Sequence, residues 1–432
     1  MEMTRRTLLQ AGALLAAAPA ARPAATDRIT IGMIGTGARG QELMDALQQH
    51  PQAEIVGLVD AYKGRLERAA SRVKGGHAKV YPTHHELLAE KSVDAVVVAI
   101  PDHLHKAVVL DALRAGKDVY CEKPLTYTAP EGLEIMAAAA AGRRIVQVGS
   151  QGVSSDLEGK AKKMIQAGKL GQITMIHAAI NRNTASGAWI YPIPPDASPQ
   201  TVNWAMFQGS TPRPFSLERF FRWRCYQEYS GGIATDLFVH LCTAIHFLMD
   251  AKMPARVMAM GELYRRTEGR NVPDTLNAIL EYPEGFTVNL SSSFNNELNA
   301  EAAFQVLGTE GSITIGGDGL VFYPEHAVED NRWIVDSWAQ PLEDAYYKDP
   351  KVIAAEVEPA KSPRKPPERF KDEGPEPTVA HFGHFFDSIR SRQPYWENEA
   401  AGHHAAACAH MINQSAQQRR LVEWDFAKDL IA

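Results

Sequence analysis

Two stretches of the chain hold side chains able to move protons. Tyr120-Cys121-Glu122-Lys123-Pro124-Leu125-Thr126 sets a carboxylate, an ammonium and a turn-fixing proline side by side. A lysine there offers strong hydrogen-bond donors, and burial lowers its pKa toward the range of a proton carrier. The second stretch is Tyr229-Ser230-Gly231-Gly232-Ile233-Ala234-Thr235-Asp236-Leu237-Phe238-Val239-His240. Asp236 and His240 are four apart, so on a helix they share one face. A carboxylate beside an imidazole orients the ring and raises its basicity, which suits a general base taking a hydroxyl proton. Lys123, Asp236 and His240 are therefore the candidate catalytic residues. Taken singly, each has a plain structural alternative: a solvated lysine in a turn, or an ion pair on a helix surface.

A third stretch binds rather than reacts. Gly35-Thr36-Gly37-Ala38-Arg39-Gly40 has the spacing G-x-G-x-x-G, between an apolar run that reads as a strand and a helical pattern. In that context the first glycine permits a tight turn, the second leaves room for a pyrophosphate, and the third lets helix and sheet pack closely. The helix N-terminus then faces the phosphates. Asp60 ends the next apolar run, at the distance where a carboxylate accepts from ribose hydroxyls and repels a 2′-phosphate. The expected cofactor is NAD. Lys63 and Arg65 close by keep NADP open.

The elements that must position these residues change character along the chain. From Arg28 to Gly149, short Val/Ile-rich runs alternate with amphipathic helical patterns. Such runs are strands buried on both faces, and the alternation predicts an α/β, doubly wound parallel sheet over residues 27–150. Lys123 then sits just beyond the C-terminal end of a strand, where open parallel sheets bind their ligands. Over residues 151–432 the strands are longer and better alternating, with Pro-Glu-Gly-Phe and Gly-Thr-Glu-Gly as hairpin turns. This predicts an antiparallel sheet with one solvated or interface face. Residues 325–377, rich in Pro, Lys and Glu, read as an irregular surface excursion. A helical pattern closes the chain.

The 432 residues, 45% hydrophobic and 22% charged, have ordinary globular composition and suggest two or three domains. The formal net charge of −6 and the lack of basic runs argue against a nucleic-acid or anionic-lipid partner. Thr4-Arg5-Arg6-Thr7-Leu8-Leu9 departs from that pattern: a charged n-region, an apolar stretch too short to span a bilayer, then Ala18-Pro19-Ala20. Residues 1–26 read as a twin-arginine (Tat) signal peptide of an exported, periplasmic protein, with no membrane insertion of the mature chain. The four cysteines lack C-x-x-C spacing, so no metal site is expected, and buried free thiols are favoured over disulfides.

Together these pieces resemble the Gfo/Idh/MocA family, named for glucose–fructose oxidoreductase and inositol dehydrogenase. The resemblance rests on the glycine motif with Asp60, Pro101 and His105 in Ile100-Pro101-Asp102-His103-Leu104-His105, the Glu-Lys-Pro, Ala167-Gly168-Lys169-Leu170-Gly171-Gln172-Ile173, the Gly-Gly with Asp236 and His240, and Val422-Glu423-Trp424-Asp425. It implies an N-terminal Rossmann domain and a C-terminal α/β domain with an open, mostly antiparallel sheet that forms a homodimer or homotetramer. It implies an NAD(P)-dependent oxidoreductase acting on a sugar, polyol or glycoside. Lys123 would hydrogen-bond the reacting oxygen near the nicotinamide. His240 would be the acid/base, and Asp236 would orient it or hold substrate. Pro101, Glu122 and His105 would line the cofactor crevice; Arg182, Tyr226 and Tyr229 would touch substrate. Two departures bear on substrate choice: Gly149-Ser150-Gln151-Gly152-Val153-Ser154-Ser155-Asp156 where related exported proteins carry basic residues, and Thr243 where many carry an acid. The family also holds NAD-dependent glycosidases, so redox-neutral glycoside cleavage is a second reading and a non-catalytic NAD- or sugar-binding protein a third. A Tat substrate crosses folded, so the signal implies a retained cofactor and a redox-balanced cycle.

Overall fold

In the computed structural model, residues 28–298, 303–317, 319–326 and 328–432 are described. The proposed signal segment, residues 1–26, lies outside them.

Val- and Ile-rich runs build the first sheet: β1 (Ile29–Ile34), β2 (Ala53–Val59), β3 (Lys79–Val80), β4 (Ala95–Val98), β5 (Asp118–Glu122) and β6 (Val146–Gly149). They are parallel, in the order β3-β2-β1-β4-β5-β6. All four residues of β4 are fully buried, because side chains alternate between two covered faces. Val96 and Val98 join one apolar cluster, with Val109 and Leu113 of helix α3 (His105–Arg114) and Ile135 of α4 (Pro130–Gly142). Ala95 and Val97 join the other, with Leu43 and Leu47 of α1 (Ala38–Leu47) and Ala69 of α2 (Lys63–Arg72). This is the doubly wound sheet expected from the sequence.

The second sheet has ten strands: β7 (Ile173–Ala179), β8 (Arg256–Glu262), β9 (Thr275–Tyr282), β10 (Phe286–Ser293), β11 (Ala303–Gly308), β12 (Gly311–Gly316), β13 (Gly319–Pro324), β14 (Glu368–Phe370), β15 (Val422–Asp425) and β16 (Leu430–Ile431). The order is β14-β13-β12-β11-β7-β10-β9-β8-β15-β16. The β7–β10 pair is parallel and the other pairs antiparallel. Alternation is strict in β9: Leu276, Ala278, Leu280 and Tyr282 are buried, while Asn277, Ile279 and Glu281 face out. The inner face packs on α6 (Val239–Met249) and α8 (Glu399–Gln418), after α5 (Asp156–Gln166) has led the chain out of the first sheet. The outer face exposes Met260, Ile279 and Tyr264.

Residues 325–377 are not irregular throughout. They hold short helices at Arg332–Val335, Gln340–Tyr346, Pro350–Val352 and Glu358–Lys361, then β14, which adds to the sheet edge at β13. The prolines account for the difference. Three of these helices carry Pro at their first or second position, where its fixed φ starts a helix rather than breaking one. The chain then returns to the first sheet. Phe382, Phe385 and Phe386 of α7 (Pro377–Ser391) are completely buried against Tyr120 and its neighbours. A residue range that reads as belonging to the second domain thus completes the core of the first.

A loop of the second domain clasps the first. Lys63 N donates to Thr201 O at 3.0 Å, Asn203 N to Ala61 O at 2.7 Å, and Tyr62 Oη to Asp196 Oδ1 at 2.5 Å. The four cysteines are buried and free, with Cys242 and Cys408 sulfurs 3.3 Å apart.

Candidate active site

Local backbone geometry makes the glycine motif a cradle. Gly35 has φ +93°, and a Cβ on it would come within 2.2 Å of Ala99 O. A Cβ on Gly40 would come within 2.2 Å of Gly35 O, so this glycine lets α1 start against the turn. Gly37 is different. A Cβ there would meet only the Arg65 guanidinium, at 3.7 Å, so protein packing does not demand glycine. Gly37 is also the N-cap of α1, and no side chain caps that helix. An open space before uncapped N–H groups fits an anionic ligand. Asp60 fixes the loop: Oδ2 accepts from Thr36 N at 2.7 Å and Thr36 Oγ1 at 3.3 Å, and Oδ1 from Tyr62 N at 2.8 Å. A carboxylate offers about four lone-pair sites, so capacity remains for a ribose hydroxyl. Arg65 lies over the rings of Phe220 and Phe221 from the second domain, beside this cradle. These residues fit a dinucleotide.

Arg39 and Glu122 form a strut across the sheet end. Arg39 Nε donates to Glu122 Oε1 at 3.0 Å, and Gln151 Nε2 donates to the same oxygen at 2.8 Å. Burial alone would lower the Arg39 pKa, yet Glu122, Tyr120 and Glu42 together outweigh it and raise the pKa above its ordinary value. Glu122 therefore braces the glycine helix rather than presenting a free carboxylate to the crevice. His105 departs further from expectation. It is buried, with Nδ1 2.7 Å from Pro124 O and Nε2 2.9 Å from Ile100 O. It ties the turn after β5 to the turn after β4, positioning Lys123 and Pro101 without lining the crevice.

Lys123, Asp236, His240 and Arg182 meet in one cavity of about 380 Å³, at the size of a small-molecule site. Lys123 Nζ donates to Asp236 Oδ1 at 2.9 Å and to Asp236 O at 2.7 Å. Arg224 Nε donates to the same carboxylate at 2.9 Å. The expected Asp236–His240 hydrogen bond is not made. The two share a helical face, but residues 234–238 form a wider π turn, and two cations occupy the Asp236 carboxylate. Burial would raise the Asp236 pKa; Lys123 and then Arg224 hold it far below the usual carboxylate range. No protein hydrogen bond engages either ring nitrogen of His240 among the described residues. Burial, then the nearby Lys123 charge, lowers its pKa to about 3, so the ring is neutral.

Tyr226 and Tyr229, expected to touch substrate, are buried elsewhere. Tyr229 packs between His103 and Phe207, and Arg219 lies over the Tyr226 ring. An aromatic residue in a loop reads equally as a binding surface or as core, and sequence alone does not separate the two. Asp102 and Arg224 belong to the site without being expected there. Asp102 is buried and accepts from Thr235 Oγ1 at 3.3 Å. Burial, reinforced by Asp236, raises its pKa to about 7. Asp102 stands inside a motif that draws notice for its proline and histidine; Arg224 has no local signal.

Comparison with known proteins agrees with this architecture. A family model described as the oxidoreductase family with an NAD-binding Rossmann fold matches residues 29–150. One described as the GFO/IDH/MocA C-terminal domain matches residues 198–314, and the two together span over half of the chain. Inositol 2-dehydrogenase 1 of Saccharopolyspora erythraea is 36% identical over 157 residues, 36% of this chain and about half (46%) of that relative's length. Inositol 2-dehydrogenase/D-chiro-inositol 3-dehydrogenase of Shouchella clausii is 26% identical over 324 residues, 74% of this chain and 80% of the relative. A solved levoglucosan dehydrogenase, in complex with NADH and levoglucosan, superposes with a TM-score of 0.67 at 18% identity, over 92% of this chain and 99% of that one. At that identity the likeness shows the shared fold.

Proposed function

The chain belongs to the Gfo/Idh/MocA family of oxidoreductases, and we propose that it transfers hydride between NAD(H) and a secondary alcohol carbon of a sugar, polyol or glycoside. The observation that carries this is the meeting of Lys123, Asp236 and His240 in one cavity, with Lys123 just beyond β5 and the glycine cradle just beyond β1 at the same end of the parallel sheet. When bound, the nicotinamide supplies the hydride acceptor. His240, neutral and unengaged, takes the hydroxyl proton. Lys123 donates to the same oxygen and stabilises the negative charge that grows on it. Asp236 and Arg224 hold Lys123 in place. Gly37 and the N-terminus of α1 would take the pyrophosphate, and Asp60 the ribose.

The test is direct. Nucleotide released from purified, untreated protein is identified by mass spectrometry. Turnover of a sugar and polyol panel is then followed with a redox dye. Bound NAD with turnover that is lost in Lys123→Ala and His240→Ala supports the reading. Bound NAD without turnover on any member refutes it and favours a non-catalytic binding protein; turnover untouched by both substitutions refutes the assignment of the chemistry to Lys123 and His240.

The twin-arginine stretch favours a finer reading: export as a folded holoprotein with slowly released NAD and a closed redox cycle. The cycle either couples two substrates or oxidises and re-reduces one substrate around glycoside cleavage. The clasp of Tyr62 on Asp196, and of residues 61–63 on 201–203, supports slow release, because it ties the segment directly after Asp60 to the second domain. Freely exchanging NAD, or a protein retained in the cytoplasm, would refute it. We also assign homo-oligomer contacts to the outer sheet face, on the exposure of Met260, Ile279 and Tyr264.

A further inference from the structure

One carboxyl in the cavity has no protein partner. Glu158 lies in the first turn of α5, where its backbone N–H is capped by Ser155 Oγ at 3.1 Å. Its side chain lines the same cavity as Lys123, Arg182 and His240. Oε2 is buried and makes no hydrogen bond, and no ion pair reaches the group among the described residues. Gly152 lies directly against the carboxyl: a Cβ there would come within 2.7 Å of Glu158 Oε1. An unpartnered buried polar group costs about 1–3 kcal/mol, so its retention beside an open cavity points to a partner supplied by the ligand.

The cavity is long enough for such a partner. Leu237, His240, Leu241, Ala244 and Leu248 line it from successive turns of one helix. From His240 to Leu248 is about 12 Å at the helical rise of roughly 1.5 Å per residue. That reaches well beyond the carbon at His240. Phe304 and Ile315 of the second sheet form an apolar wall, suited to the C–H face of a ring.

We infer that Glu158 is a substrate-binding residue that reads a hydroxyl remote from the reacting carbon of a neutral polyhydroxylated substrate. A protonated carboxyl both donates and accepts, and so does an alcohol, so the two pair reciprocally. Burial supports the protonated form by raising the Glu158 pKa to about 7. The charged or titratable groups around it are Glu397, Tyr395, Arg182, Lys123, His240 and Asp236. Glu397 is wholly buried, with both carboxyl oxygens unpartnered, and is itself raised to about 8 by burial. Two such neighbours resist joint ionisation. Thr243 also lines the cavity, and the carboxyl side chains lining it are Glu158 and Asp236.

The inference rests on the polyol-oxidoreductase reading, and the experiment separates the two. The NADH-loaded protein is titrated calorimetrically with myo-inositol, D-glucose and methyl β-D-glucopyranoside. NADH affinity and melting temperature are measured alongside, in wild type, Glu158→Gln and Glu158→Leu. Glu158→Leu is expected to weaken binding of the preferred probe about tenfold, the size of one lost hydrogen bond, with NADH affinity unchanged. Glu158→Gln, still both donor and acceptor, is expected to keep it within about threefold. Wild-type binding should weaken between pH 6 and 9, while that of Glu158→Gln stays flat. Equal probe affinity in all three proteins overturns the inference alone. So does a pH profile unchanged by Glu158→Gln, which decides the matter even if Glu158→Leu does not fold. A wild type that binds none of the probes overturns both the inference and the polyol reading.

Discussion

Asp236→Asn isolates the electrostatic centre of the site with the smallest change of shape. The carboxylate accepts from Lys123 Nζ and Arg224 Nε, both at 2.9 Å. The side chains of Asp236, Lys123 and Arg224 are 11%, 12% and 24% exposed, so solvent screens the cluster weakly. Removing one partner of a buried pair costs about 3–5 kcal/mol, because the remaining charge is left uncompensated. Here two cations are left facing each other. The amide oxygen still accepts one bond, recovering about 1 kcal/mol, which leaves about 2–4 kcal/mol. By calorimetry that is a loss of about 2–5 °C in Tm, at about 2.1 cal/mol/K of unfolding entropy per residue over about 400 residues. The sign of the pH dependence follows from the depressed Asp236 pKa. The carboxylate stabilises the fold above the ordinary carboxylate pKa, and that stability is lost on acidification. The gap between wild type and variant should therefore close as pH falls below about 4. Turnover should fall about 10²–10³-fold as Lys123 loses its anchor, with nucleotide content unchanged. A variant that melts with the wild type at neutral pH and keeps its turnover would refute the reasoning.

The glycine motif gives a contrast. Gly37→Val should fold normally and purify without nucleotide, whereas Gly40→Ala, whose Cβ would meet a backbone oxygen at 2.2 Å, should lower Tm; mass spectrometry and calorimetry read both. His240→Ala should cost about 10²–10⁴ in kcat with NADH affinity intact. Glu397 and its raised pKa predict an alkaline weakness: a buried neutral carboxyl stabilises the fold below the unfolded pKa, and that stability is lost as pH rises toward about 8. Glu397→Gln should therefore raise Tm relative to wild type more at pH 8.5 than at pH 4.5. Met260→Asp with Ile279→Asp should lower the mass found by light scattering; an unchanged mass would locate any oligomer contact elsewhere.

The first sheet is legible in the sequence because its strands are unbroken aliphatic runs, which only a strand covered on both faces can hide from water. Ala95, Val96, Val97 and Val98 are all at 0% exposure. The second sheet is legible through alternation, as in β9. The place of α7 in the first core is not legible. Burial of Phe382, Phe385 and Phe386 is a fact about tertiary return, which local periodicity does not encode. Lys123, Asp236 and His240 stand out because each lies at a fixed offset from a glycine pair or a strand end. The partners that set their charge do not. Arg224 reaches Asp236 from a short 3₁₀ turn with no motif, and Glu158 reaches the cavity from a helix that reads as ordinary amphipathic surface. His105 and Glu122 do lie near the crevice, but distance in sequence says nothing of which carbonyl or guanidinium claims a side chain.

The site's electrostatics reconcile two demands that look opposed. Lys123, Arg182 and Arg224 bring three cations to the cavity region, against one ionised carboxylate, Asp236, with Asp102 and Glu158 near neutrality. Burial first, and then the positive charge led by Lys123, lowers the His240 pKa and so makes the imidazole a weak base. In the proposed reaction the same positive field would act on the substrate hydroxyl. It lowers that group's pKa as well, and more so as the C–H bond breaks and charge builds on oxygen next to Lys123. What governs proton transfer is the difference between the two groups, which narrows along the reaction although both are depressed. The reverse arrangement, an anion beside His240, would give a stronger base but would oppose the alkoxide. Pairing Asp236 with Lys123 and Arg224 instead of with His240 follows from that choice: the carboxylate anchors the cations and leaves the imidazole neutral and unengaged, facing the cavity.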